Sequence, residues 1–208
     1  MLSAHKNFFL LFLLITISSE VKSDQDPFLF IDSNAQKMAN VLTNESQLFE
    51  TDRLIYEEKI KEIFEPMIDF RRVAASVMGK KYYFMSSKEQ RADFVLIFKD
   101  SLLDTYAETL AQWGDSTIST QFPAKKIDPS IKNIEVRQTL DTGNSKYPIS
   151  YKLQKTKDGW KIVNIIINGV NLGLTFRNQF QALAISHDED IELTLKNWVS
   201  DAGDAGIS

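Results

Sequence analysis

The sequence predicts an α+β domain in which about four antiparallel strands are wrapped by helices. Three observations carry that prediction. Apolar residues recur at three- and four-residue steps from about Asp32 to Trp113, the period changes to two from about Thr117 to Ile167, and helical spacing returns after Gly169. With 208 residues, 43% of them hydrophobic and 25% charged, eight Gly and five Pro, the chain has the composition of one ordinary globular core.

The first segment, residues 1–23, reads as a removable secretory leader. Lys6 supplies positive charge, Phe8 to Ile17 is apolar apart from Thr16, and Val21-Lys22-Ser23 offers a cleavage site after Ser23. A membrane span needs ~18–20 apolar residues, about twice this run. The mature protein is therefore expected to be a single soluble domain over residues 24–208. An exported chain without cysteine fits the periplasm of a bacterium with two membranes.

A helix is expected from about Asp32 to Asn44, where Ala35, Met38, Ala39 and Leu42 share a face. Asp52 can cap the next, which carries Leu54, Ile55, Ile60 and Ile63 up to Pro66. A short helix from Phe70 to Met78 should stop at Gly79. The longest helix opens with Ser87 and Gln90 at capping-box spacing and should end at Gly114, with Phe94, Phe98, Leu102 and Tyr106 at every fourth position and Leu110 and Trp113 continuing the stripe.

Strands follow. Ile118, Thr120 and Phe122 alternate before Pro123, and Ile134 and Val136 alternate with polar neighbours before the turn Asp141-Thr142-Gly143-Asn144. Tyr147, Ile149, Tyr151 and Leu153 then face one way, with Pro148, Ser150, Lys152 and Gln154 opposite. After Lys157-Asp158-Gly159, the run Trp160 to Ile167 is apolar on both faces except at Lys161 and Asn164, which predicts a central strand. Two helices close the chain, one with Phe176, Phe180 and Leu183, the other with Ile191, Leu195, Trp198 and Val199.

Catalytic signatures are absent from the sequence. Beyond His5 in the leader, the only imidazole is His187, which sits among Asp188, Glu189 and Asp190 and reads as a solvated residue at a helix start. There is no H-E-x-x-H, G-x-S-x-G, P-loop or G-x-G-x-x-G, and Asp69 and Asp93 read as capping or solvated carboxylates, so the expected protein is not an enzyme and needs no cofactor. A formal net charge of −4 argues against nucleic acid as a partner. What stands out is apolar excess, which fits either a full core or a cavity for a large apolar ligand where helices curl over a sheet.

The residues that carry this excess resemble the MlaC family, the periplasmic phospholipid-binding components of the Mla lipid transport system, also called toluene-tolerance auxiliary proteins. The resemblance starts at Asp26-Pro27 and is most specific in Asp69-Phe70-x6-Val77-x-Gly79, in Gln90-Arg91-x2-Phe94-x3-Phe98-x3-Leu102-x2-Thr105-Tyr106-Ala107, and in Trp160-Lys161-x-Val163 leading to Gly169-Val170 and Gln179-Phe180. It implies a twisted four-stranded antiparallel sheet of NTF2-like layout, with several helices enclosing an apolar pocket for about one phospholipid. It also implies two partners: an inner-membrane ABC transporter with an MCE-domain subunit and an outer-membrane lipoprotein-porin complex. On this resemblance the residues expected to contribute to the pocket are Phe98, Leu102, Tyr106, Tyr147, Ile149, Tyr151, Ile165, Ile167, Val170 and Leu174. An NTF2-like binding protein or isomerase for another apolar ligand is the alternative, and the isomerase would need an acid such as Asp69 turned inward.

Overall fold

The computed structural model describes residues 26–111 and 116–201. The leader and Gly114, with Trp113, lie outside the described residues.

Helix α1 spans Pro27–Asn44 and so begins earlier than its periodicity suggests. The Asp26 carboxylate accepts from the backbone N–H of Phe28 (2.8 Å) and Leu29 (3.2 Å), and Pro27 supplies a preset φ at the first helical position. The signal was a cap, not a stripe. Two further helices complete this part of the molecule: α2 (Ser46–Thr51) and α3 (Arg53–Phe64), the latter capped by Asp52, whose side chain accepts from Ile55 N–H at 3.3 Å. A single 3₁₀ turn, Glu65–Met67, then leads to α4.

The first helical segment stops at Gly79 as expected and a second follows directly, so that α4, Phe70–Met85, is two helical segments joined across a kink. Gly79 adopts φ 68° and ψ 167°, a region essentially closed to other residues, and the helix resumes as far as Met85. A Cβ there would meet the flexible tip of Arg177 at 3.0 Å, so the cost of a side chain lies in the backbone more than in the contact. Gly79→Ala is expected to destabilise the fold by about 1–3 kcal/mol in urea denaturation, and an unchanged midpoint would show that the kink carries no strain.

Helix α5, Lys88–Ala111, opens with the expected capping box. Gln90 N–H donates to Ser87 Oγ (3.1 Å) while Ser87 N–H donates to Gln90 Oε1 (2.9 Å).

The sheet has five strands in the order β1-β2-β3-β4-β5, not four: β1 (Thr117–Thr120), β2 (Asn133–Asp141), β3 (Lys146–Thr156), β4 (Gly159–Ile167) and β5 (Val170–Asn171), all antiparallel to their neighbours. The additional strand, β5, returns from β4 through Asn168 and Gly169, both at positive φ, and two residues are too few to show a period.

The centre of the sheet is β3, and β4 is flanked along most of its length by β3 alone. Its apparent two-sided apolar pattern has a geometric cause. The register moves from Lys152↔Asn164 to Leu153↔Ile162, so Val163 is an extra residue that reverses the alternation. Trp160 and Ile162 before the bulge, and Ile165 and Ile167 after it, consequently lie on one face with Leu153, Tyr151 and Ile149.

Helices α6 (Leu172–Ser186) and α7 (Ile191–Lys196) finish the fold. Asn171 caps α6 and also accepts from Asn164 Nδ2 at 2.9 Å, while Asn164 Oδ1 accepts from Gly173 N–H at 3.0 Å, which ties the helix start to β4. His187 sits at the end of α6, not at the start of a helix: its N–H donates to Leu183 and Ala184 carbonyls, and Asp190 is the residue that caps α7. Trp198 lies beyond α7 but is buried.

Burial divides into two clusters. The main one joins the sheet to α4, α5 and α6, and within it Phe94 and Phe98 of α5 meet Phe176 and Phe180 of α6 and Trp198. The smaller one, Met38, Val41, Leu42, Tyr56 and Ile60, holds α1 to α3. Ile63 and Phe64 pack against both.

Candidate functional site

A cavity of about 140 Å³ lies between these two clusters, partly open to solvent and roughly ten times the room one water molecule needs. It is built from two periodicities meeting face to face. On α1, Ile31, Asn34, Ala35, Met38, Ala39 and Leu42 fall on one helical stripe, and Ile60, Ile63 and Phe64 of α3 extend that wall. Opposite them stand Ile118, Leu140, Ile149, Tyr151, Ile165 and Ile167, alternate residues of four strands whose side chains reach one face because of the register and the bulge. Met67, Ile68, Leu102, Leu103, Ser116 and Leu172 close the ends.

Among the described residues no lining residue carries a charge, and Asn34, Ser116 and Tyr151 are the polar side chains. Asn34 Nδ2 donates to Phe30 O at 2.8 Å, inside its own helix. Tyr151 is 8% exposed, and its hydroxyl has no hydrogen-bond partner among the described residues. Desolvation pushes its phenol well above the ordinary tyrosine range, so the group stays protonated.

The sequence-predicted residues separate into groups. Leu102, Ile149, Tyr151, Ile165 and Ile167 line the cavity together. Phe98 is fully buried among the rings of Phe94 (5.9 Å between centroids), Phe176 (5.6 Å) and Trp198 (6.2 Å). Tyr147 and Val170 are half-buried against the main cluster, and Leu174 is 53% exposed on α6. Tyr106 belongs to α5, but its side chain falls outside the described residues. Sequence reasoning missed the wall supplied by α1 and α3. The signal available was Ala35 and Ala39, small residues on an otherwise bulky stripe, which leave room where the helix faces the sheet.

Asp69 caps α4, its carboxylate accepting from Arg72 N–H at 3.0 Å, and Asp93 is exposed on α5. Among the described residues no group of three or more His, Asp or Glu side chains is placed to hold a metal ion, and no helix is long and apolar enough to cross a membrane.

Comparison with known proteins agrees with this geometry. The toluene tolerance protein ttg2D of Pseudomonas putida is 26% identical over 194 residues, covering 93% of this chain and 87% of the relative. The intermembrane phospholipid transport system binding protein MlaC of Haemophilus influenzae is 22% identical over 188 residues, covering 89% and 78%. In three dimensions the chain is similar to a phospholipid-binding protein from Ralstonia solanacearum solved in complex with a phospholipid, with a TM-score of 0.73, 21% identity, and coverage of 83% of this chain and 94% of that one. The family model described as MlaC protein matches residues 32–199, and the chain belongs to the MlaC family.

Proposed function

We propose that this protein is a periplasmic phospholipid carrier that holds the acyl chains of about one lipid in the cavity and leaves the headgroup in water. The observation that carries the reading is the uncharged wall between α1, α3 and the sheet, an apolar surface large enough to need an occupant. The names of its relatives, an intermembrane phospholipid transport protein and a phospholipid-bound structure, support the same class of ligand. The isomerase alternative needs an inward carboxylate, and among the described residues no acidic one lines the cavity.

The physical task is severe. Two acyl chains hold ~30 methylenes, and exposing them to water at ~0.8 kcal/mol each costs more than ~20 kcal/mol. An apolar sleeve removes most of that barrier, because tails pass between a bilayer and a surface of similar polarity with little change in free energy. Direction then comes from the partners. In this reading they are an inner-membrane ABC transporter with an MCE-domain subunit and an outer-membrane lipoprotein-porin complex, between which the carrier shuttles lipid and so maintains outer-membrane asymmetry.

Full-length chain expressed in a two-membrane bacterium and recovered from its periplasm is expected to begin at Asp24 and to show, by native mass spectrometry, one phospholipid per chain. Protein that carries no lipid, and that after delipidation takes up no fluorescent phospholipid from vesicles, would overturn the proposal.

A further inference from the structure

We infer that the Tyr151 hydroxyl donates a hydrogen bond to an ester carbonyl of the bound lipid, so that the cavity distinguishes ester-linked from ether-linked glycerophospholipids. This deepens the phospholipid reading and rests on it.

Among the described residues, Tyr151 is the lining side chain that combines burial with an unused polar group. It stands in the middle of β3, paired with Val136 on β2 and Ile165 on β4, neither of which can accept a hydrogen bond from it through a side chain. The buried polar group close by on the same face is Gln138, diagonal to Tyr151 across the β2–β3 ladder, since the buried Ser150 hydroxyl belongs to the opposite face. Gln138 Nε2 donates to Thr120 Oγ1 (2.8 Å), which in turn donates to Asp32 Oδ1 (2.7 Å), and Gln138 Oε1 has no partner, so it does not receive the tyrosine proton. The Tyr151 hydroxyl is not one of the fully enclosed unpartnered polar atoms, so it opens onto the cavity, where its proton is available to a ligand.

The ligand supplies what is missing. Below its phosphate a diacyl lipid is hydrocarbon except for its ester oxygens, and these only accept. A neutral donor that stays protonated matches a neutral acceptor, with no charge taken out of water. An ether-linked lipid has the same tails and headgroup but lacks the carbonyl.

The test uses lipid-stripped full-length mature protein and vesicles containing equal amounts of dioleoylphosphatidylcholine and its dialkyl ether analogue, with bound lipid quantified by mass spectrometry. The ester-to-ether ratio bound by the natural protein is expected to exceed that of Tyr151→Phe by about fivefold, the effect of one neutral hydrogen bond. Comparing the two proteins cancels any difference in how readily each lipid leaves the vesicle. Tyr56→Phe removes a fully buried hydroxyl without a partner, on a residue that does not line the cavity, and should leave the ratio at the natural value.

The natural protein also allows a measurement that needs no variant: lipid labelled with carbon-13 at the ester carbonyl should show a lowered infrared stretching frequency when bound. Equal ratios in the natural protein and Tyr151→Phe, or a bound carbonyl that absorbs as in a dry apolar solvent, would overturn the inference while leaving the carrier reading intact. Such a result would also be the signature of a water satisfying the hydroxyl instead of the lipid. Failure of the natural protein to take up either lipid would overturn both.

Discussion

Ala35→Trp is expected to abolish phospholipid loading while leaving the lipid-free protein as stable as before, or more so. Ala35 sits on the α1 stripe that faces the sheet across the cavity, so an indole at this position occupies the space proposed for acyl chain instead of pushing into packed core. Displacing even about five methylenes at ~0.8 kcal/mol each removes roughly 4 kcal/mol of transfer free energy, about a thousandfold in occupancy. Native mass spectrometry together with a thermal melt of delipidated protein reads both halves of this expectation. A variant that still carries lipid would show that the tails lie elsewhere, and a collapsed melting temperature would show that the void is not available to a side chain.

Phe94→Ala should do the reverse. Phe94 is fully buried on α5, its ring 4.9 Å from that of Phe180 and 5.5 Å from that of Trp198, both in edge-to-face arrangements. It is not part of the cavity wall. Truncation leaves a hole among rings that α5, α6 and the C-terminal segment hold from different directions, with an expected cost of about 3–5 kcal/mol and a melting temperature lower by roughly 10 °C. Lipid bound per folded molecule should change little. Loss of lipid at unchanged stability would reverse the assignment of this cluster as structural.

The contrast between these substitutions also marks what the sequence made legible. The strand face Tyr147, Ile149, Tyr151, Leu153 and the capping box at Ser87 and Gln90 are local signals, and local signals suffice for them. The Phe94 and Phe98 stripe was equally visible, but a periodicity of apolar rings says only that a helix has a buried face. Whether those rings meet one another or a ligand depends on α6 and Trp198, which are about 80 or more residues away in sequence.

The bulge at Val163 was hidden for a related reason. An extra residue in a strand is defined by its partner, so β4 alone read as apolar on both sides and central when it is neither. The early start of α1 was missed because Phe28 to Ile31 form a continuous apolar run with no period, while the cap at Asp26 and Pro27 was the informative pair.

Ile63 and Phe64 pack against both clusters, and Phe28 and Ile31 of α1 are buried in the main one, so the cavity lies along a boundary that α1 and α3 themselves bridge. A lipid seated there acts as interior filling shared by two bodies, so occupancy and cohesion form a single equilibrium. Loading stabilises the assembled form by an amount that grows with ligand activity relative to its dissociation constant. In the proposed carrier, unloading runs against the same term, so loosening the α3 side of the cavity from the sheet would release the lipid without any grip on the tails themselves.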